Sequence, residues 1–294
     1  MVKIFFASLL LLYATSINAS KLNKSIFYGI GERVSKVDWN IAGNLSGTNP
    51  NIISELTWKQ VRSHQISIGV HLNEDDHFLQ IFGEYGSIYD GKNQDSDYNS
   101  DDRKNEFSRS VNSSGKGYLL DTEILYGQDY FYLGKIKVSP TIGYGFHRQN
   151  LQIYDGTMVI GSADLTGLNS LYEANWRGPI FGIGVNYKKN KSIFAFDYSF
   201  QDIDFNGYTD WNLRSDLKHP KSMTQEGSGS GTKISASYER ALSDFSSISL
   251  VGTYYKYSAE GVHTFHLLSN DHKQKLNQVN WEGREIMLIY RSLF

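Results

Sequence analysis

The chain has 294 residues, a formal net charge of −2, 20 tyrosines, 16 phenylalanines, 27 glycines, 4 prolines and no cysteine. Without cysteine it can form no disulfide framework, thiolate metal site or cysteine nucleophile. Near-neutral charge gives no electrostatic footprint for nucleic acid, while scarce proline and abundant aromatics suit long hydrogen-bonded strands with interfacial girdles.

The first segment opens on Lys3, continues as Ile4-Phe5-Phe6 and Leu9 to Leu12, and leaves through Asn18-Ala19-Ser20. A basic start, a short apolar run and a small-residue exit predict a secretory signal peptide over residues 1–19, cleaved after Ala19. The run is shorter than the ~20 residues of a spanning helix, and no later stretch is long and apolar enough to be one. The remainder, 20–294, has no linker or composition shift and reads as one domain.

Strands are predicted over 25–39, 52–72, 77–90, 117–132 and 135–154. The fifth is the most informative. Ile136, Val138, Pro140, Ile142, Tyr144 and Phe146 share one face, and Lys135, Lys137, Ser139, Thr141, Gly143, Gly145 and His147 share the other. A strand this long, apolar outside and polar or small inside, is the pattern of a transmembrane β-barrel. Further strands follow over 171–188, 192–208, 232–242, 247–268 and 279–294. In the seventh, Phe194, Phe196, Tyr198 and Phe200 face out while Asp197, Ser199 and Gln201 face in.

The count is ten, and bacterial barrels use even numbers. Short turns at 73–76, 133–134, 189–191 and 243–246 alternate with long polar loops at 40–51, 91–116, 155–170, 209–231 and 269–278. That rhythm predicts an all-β, ten-stranded antiparallel barrel in the bacterial outer membrane, with long loops extracellular and both termini periplasmic. The aromatic end at Phe294 fits an outer-membrane strand. Lys135, Lys137, Asp197, Lys233 and Glu239 are expected in a salt-bridged lumen, and Gly227 to Gly231 in a loop. The histidines show no metal-ligand spacing.

Chemistry is expected at the loop end, where the acidic residues gather. Asp95, Asp97, Asn99 and Asp101 stand at positions one, three, five and seven of an EF-hand-like spacing, with Glu106 at twelve. Hard oxygen ligands in that order suit calcium, but Ser100 replaces the turn glycine and no helices flank it. A solvated acidic loop is the plainer reading.

At these residues the chain resembles the omptin family of ten-stranded outer-membrane proteases. Asp95-Ser96-Asp97-Tyr98, Asn105-Glu106-Phe107 and Gly117-Tyr118-Leu119-Leu120 carry the resemblance. Glu32-Arg33-Val34, Leu56-Thr57-Trp58-Lys59, Gln65 to Gly69, Gly143-Tyr144 and Arg148 extend it. The chain is similar, more closely, to the omptin-like barrels called protochlamydia-type outer membrane proteins. The omptin resemblance implies an endopeptidase in which Asp95 and Asp97 form one catalytic pair and Asp210 belongs to a second, with Glu32 binding basic substrate side chains. It also implies that Tyr144 and Arg148 hold lipid, with lipopolysaccharide required for activity. Two positions depart from the pattern. Asn212 stands where the family has its general-base histidine, and Tyr208 replaces an acidic pocket residue. Asparagine cannot take and carry a proton, so proteolysis would need another base, such as His219 on the same loop. Phe146 replaces a Glu of the lipid site.

Three functions follow. One is an omptin-like aspartic-type endopeptidase or a derivative without catalysis. The second is a non-enzymatic surface protein for adhesion, lipid binding or envelope structure. The third is a small pore. The expected partners are outer-membrane lipid and a peptide or host-surface ligand. The expected state is a monomer without cofactor.

Overall fold

The computed structural model describes residues 22–294; the predicted signal peptide lies outside them. Every regular element is a strand: β1 (Asn23–Ile41), β2 (Ser54–Glu74), β3 (His77–Ser100), β4 (Lys104–Ser113), β5 (Gly117–Gln128), β6 (Phe131–Leu133), β7 (Ile136–Ile160), β8 (Asn169–Lys189), β9 (Ser192–Asp210), β10 (Met223–Ala241), β11 (Ser246–His266) and β12 (Asp271–Leu293). All pairings are antiparallel, and β1 pairs both β2 and β12. With β2 also on β3, the sheet closes on itself, and among the described strands only the three-residue β6 is paired on one side alone.

The ring has ten wall positions made from twelve strands. β4 and β5 share one position between β3 and β7, β4 towards the long loops and β5 below it. β6 continues that position against the start of β7. The ten-stranded expectation therefore holds for the wall, while the predicted loop 91–116 is corrected. It consists of the end of β3, a turn at 101–103 and β4. Here both faces are polar, so no alternation marks the strand. For the same reason β10 begins at Met223 rather than 232. Gly227, Gly229 and Gly231 occupy its inward positions, and a Cβ on Gly231 would fall 2.1 Å from the Tyr257 ring. The glycines of this segment are strand residues beneath an aromatic core.

Most wall strands run 19–25 residues, about twice the ~9–11 that cross a bilayer. The residue chemistry exchanges faces halfway along. In β9, Phe194, Phe196, Tyr198 and Phe200 are exposed on the outer wall, followed on that face by Asp202 and Asp204. On the inner face Ser199 and Gln201 give way to buried Ile203 and Phe205. β1 does the same: Tyr28 and Ile30 face out below, and Val37, Trp39 and Ile41 are buried inside above. The lower half is thus built for lipid outside and polar contents inside. The upper half has an ordinary hydrophobic core inside and a polar exterior.

The upper core is aromatic. Trp58 of β2 stacks on Tyr172 of β8 at 4.9 Å, although these strands are not neighbours in the ring. Trp281 lies 4.9 Å from Tyr257, 4.4 Å from Tyr255 and 6.2 Å from Trp176. Trp39, Ile41, Leu56, Leu151, Ile153, Phe205 and Leu276 complete the packing, each essentially fully buried. Below this plug lies a lumen cavity of about 930 Å³. It is lined by Arg33, Glu84, Asp121, Glu123, Lys233 and Glu285, among others.

Lys137 pairs with Asp129 at 2.8 Å, Lys233 with Glu123, and Arg291 with Glu239 at 3.8 Å. Of the residues expected in a salt-bridged lumen, Lys137, Lys233 and Glu239 form ion pairs, and Lys135 and Asp197 line the same cavity. Its centre was not foreseen: buried Arg33 meets Glu84, Asp121 at 2.7 Å and Glu285 at 2.7 Å. His147 donates from Nδ1 to Asp121 at 2.9 Å. Inward parity among large outward residues is the signal that could have found these groups.

Candidate functional site

The mouth of the barrel carries the acidic residues singled out above. β2, β3 and β4 lie side by side there. Asp95 pairs across with Leu56 and Ser110, and Asp97 with Ser54 and Ser108. Directly opposed residues share a face, and buried Leu56 and Trp58 mark that face as the inner one. The two carboxylates are therefore neighbours on the inner wall, above the aromatic plug.

Burial pushes the Asp95 carboxyl well above the usual carboxylate range, and the adjacent Asp97 adds to it. Asp95 Oδ1 has no hydrogen-bond partner. Asp97 is also raised by burial, against hydrogen bonds from Ser54 and Ser108 and the attraction of Arg214.

Arg214 belongs to the segment 211–222, which folds over the mouth. Trp211 and Leu213 pack on the upper core. Leu217 is buried and forms a β-bridge with Leu267. Lys218 Nζ donates to Asp271 at 3.0 Å. Asn212 is a staple within this cap. Its Oδ1 accepts from Asn169 N at 2.9 Å and Ser170 Oγ at 3.0 Å, and its Nδ2 donates to Gly167 O at 2.8 Å.

The structure joins Asp210 to His219, whose Nδ1 donates to Asp210 Oδ1 at 2.6 Å. His219 Nε2 lies 3.3 Å from the Arg214 carbonyl. Arg214 stands between this pair and the other, its carbonyl facing His219 and its charge attracting Asp97. Thr209 opposes Tyr172, which is buried in the lumen, so Asp210 takes the outer face by alternation, as Tyr208 does. No hydrogen bond or ion pair among the described residues connects Asp95 or Asp97 with Asp210 or His219.

Glu32 also lies on the outer wall. It contacts His64 Nδ1 and accepts from Tyr89 OH at 3.1 Å, while its neighbour Arg33 faces the lumen. The structure thus does not bring Glu32 to the mouth, because β1 turns odd-numbered side chains inward. Tyr144 and Arg148 share the outer face of β7, as the alternation predicts. Arg148 Nε donates to Asn175 Oδ1 at 2.7 Å and lies 3.4 Å from Glu173.

Of the calcium-spacing residues, Glu106 is taken by Arg109, and Asp101 Oδ1 accepts from Asn51 N at 2.7 Å. No group of three or more acidic, histidine or cysteine side chains suited to a metal occurs among the described residues. His263 is fully buried beside Trp39, and burial lowers its pKa to about 3.

The chain matches the family model described as Protochlamydia outer membrane protein over residues 28–290. It belongs to that family. The match spans nearly all the described barrel, which places this family member in the bacterial outer membrane. No curated protein sequence matches it. Among solved structures, the outer membrane protease OmpT from Escherichia coli superposes with a TM-score of 0.76 at 11% identity, covering 92% of this chain and 97% of that one. OprG from Pseudomonas aeruginosa reaches 0.36 at 8% identity over 93% and 97%. The NalP translocator domain from Neisseria meningitidis reaches 0.38 at 8% identity over 91% and 88%. At such identities the OmpT likeness establishes the barrel fold alone.

The Asp210–His219 contact gives the family member a pH-dependent tie. Hydrogen bonding to Asp210 raises the His219 pKa above its ordinary value. The tie is fully present below the usual histidine pKa of about 6.5 and is lost as pH rises through the raised one. In an NMR titration of the folded barrel, His219 should titrate above a free histidine and move back in Asp210→Asn. An unchanged midpoint in that variant would contradict the assignment.

Proposed function

We propose that this barrel is a plugged, non-enzymatic outer-membrane surface protein, anchored in lipid below and presenting a rigid binding rim above. The observation that carries this reading is the aromatic core. Trp39, Trp58, Tyr172 and Trp281 fill the lumen directly beneath Asp95 and Asp97. Trp211 and Leu213 of the cap pack on that core.

Catalysis by water needs a nucleophile site within reach of both an oriented base and the stabilising carboxylates. Here Asp210 takes the outer face of β9 by alternation and holds His219 by a hydrogen bond, while Asp95 and Asp97 lie on the inner face of β3. Asn212 spends both ends of its amide on the start of β8 and the loop before it. Each feature favours a binding rim over a cleft. The endopeptidase reading keeps two supports, the adjacent Asp95–Asp97 pair and the hydrogen-bonded His219. The same plug argues against a pore, because Trp39, Trp58, Tyr172 and Trp281 are buried across the lumen between the cavity and the mouth.

In this reading the long loops are extracellular, both termini are periplasmic and the barrel works as a monomer. Its ligand is a peptide or host-surface group held at the rim, and lipid contacts the wall at Tyr144 and Arg148.

The test is cleavage of a fluorogenic peptide library by refolded barrel, with and without lipopolysaccharide, beside Asp97→Ala and His219→Ala. No cleavage is expected in any sample. Cleavage by the parent that disappears in both variants would establish a protease with His219 as its base.

A further inference from the structure

The lumen cavity beneath the plug is closed above and open below. Tyr257 and Trp281 line its top, while Asn73, Gly134 and Asn190 of the short turns line its lower rim. At about 930 Å³ it lies in the range of small-ligand pockets.

The space is off-centre. On the inner face Gly184 of β8, Asp197 of β9, Ser235 of β10 and Thr253 of β11 are successive cross-strand partners. The row below them runs Asn186, Ala195, Ser237 and Val251. These side chains are short, so the room lies against β8 to β11. Arg33 and its carboxylates fill the side of β1, β3, β5 and β12.

Charge is unmatched only within the open part. Of the seven carboxylates that line the cavity, Arg33, Lys137, Lys233 and Arg291 hold six. The seventh, Asp197, makes no hydrogen bond or ion pair among the described residues and is exposed to the cavity. Its diagonal neighbour Lys233 donates to Glu123 instead. Gly184 leaves room for the Asp197 carboxylate, since a Cβ there would fall 2.7 Å from Oδ1. Two lining cations, Lys135 and Lys188, likewise form no ion pair among the described residues. They adjoin at the lower rim, where Lys188 N donates to Lys135 O at 3.1 Å.

The separation of these charges sets a length. Lys188 opposes Ile193, four residues before Asp197 on β9. At ~3.4 Å per residue the lysines stand ~13 Å below the carboxylate along the wall. An extended chain of about four residues spans that distance.

We propose that the lower lumen binds a short extended peptide, its ammonium end on Asp197 and its carboxylate end at Lys135 and Lys188. Ser235, directly opposite Asp197, offers a hydroxyl oxygen to a second ammonium proton. The short side chains between the two ends leave space for those of the peptide. Ends and length therefore select the ligand. The surface-protein reading supplies only the side of entry, which is periplasmic.

The experiment is isothermal titration of the full barrel, refolded in detergent, with tetra-alanine. Detergent leaves both ends of the barrel in solution. A wrong side of entry would thus leave binding intact, whereas a wrong pocket would abolish it. Folding of each variant is checked by heat-modifiable gel migration. The parent should bind one peptide. Asp197→Asn should weaken binding about tenfold, equivalent to about 1.4 kcal/mol. It leaves no partner stranded, because Asp197 has none. N-acetyl-tetra-alanine should not bind, and the double variant Lys135→Gln, Lys188→Gln should weaken binding in the same direction as Asp197→Asn. Asp202→Asn removes a carboxylate from the outer face of the same strand and should change nothing.

Absence of binding by the parent would overturn the proposal, as would parent affinity in Asp197→Asn. Equal binding of the acetylated peptide would remove the ammonium contact. Equal binding of tetra-alanine amide would reduce the site to one for simple amines and refute the peptide assignment. Loss in Asp202→Asn as well would describe a general charge effect rather than a pocket.

Discussion

Replacement of Arg33 by methionine should destabilise the barrel by about 3–5 kcal/mol, the range for breaking a buried ion pair from one side. Arg33 is 5% exposed and serves three carboxylates, Glu84, Asp121 and Glu285. Lys233, the next lumen cation, is already paired with Glu123. Removing the guanidinium would leave three carboxylates facing one another in a restricted cavity with only His147 on Asp121. The loss comes from the charges left behind rather than from the strength of any one bridge. Adding Glu84→Gln and Glu285→Gln to Arg33→Met should therefore restore most of the stability. Urea unfolding in lipid vesicles, followed by tryptophan fluorescence, measures both steps. A single Arg33→Met variant that unfolds at the parent midpoint would refute this account of the lower lumen.

Truncation of the plug has the second large effect. Trp281 is 2% exposed and touches Tyr255, Tyr257, His147 and Trp176. Trp281→Ala should cost about 3–5 kcal/mol, because the closed wall cannot collapse into the cavity left behind. The same change tests the sealed lumen. In planar bilayers the parent should give no conductance steps. Trp281→Ala combined with Trp176→Ala should open a path from the lower cavity towards the mouth and give small steps. A conducting parent would show that water passes the plug, and the pore reading would then replace the surface-protein one.

The lower half of this barrel was legible in its sequence. Large outward residues at every second position, as in Ile136 to Phe146 and Phe194 to Phe200, can only be satisfied by lipid outside and polar groups within. Tight turns such as 189–191 appear where expected, between β8 and β9. The upper half was harder to see. Above Gln201 the outer face becomes polar and the inner one apolar, so the same alternation has the opposite meaning. In β3 above Gly91 neither face is apolar, and the strand read as a loop.

The candidate site was legible only in part. Spacing of two along a strand puts Asp95 and Asp97 on one face whatever the surroundings, and the structure keeps them together. No local rule says which face. The resemblance implies catalytic and substrate-binding roles for Asp210 and Glu32, and the parity of β9 and β1 turns both to the outer wall. Nothing in the spacing of Asp210 and His219 predicts their hydrogen bond, because it depends on how the cap folds back.

By itself, the sequence determined the class of the protein: an outer-membrane antiparallel barrel with ten wall positions, since a strand's two faces must match their two solvents. Only the tertiary structure decided what fills that barrel. Trp58 and Tyr172, or Arg33 and Glu84, are far apart in the chain and meet because closing the wall sets their register and height. Contact across a closed ring depends on that register, and one residue of slip would exchange the plug for the polar exterior.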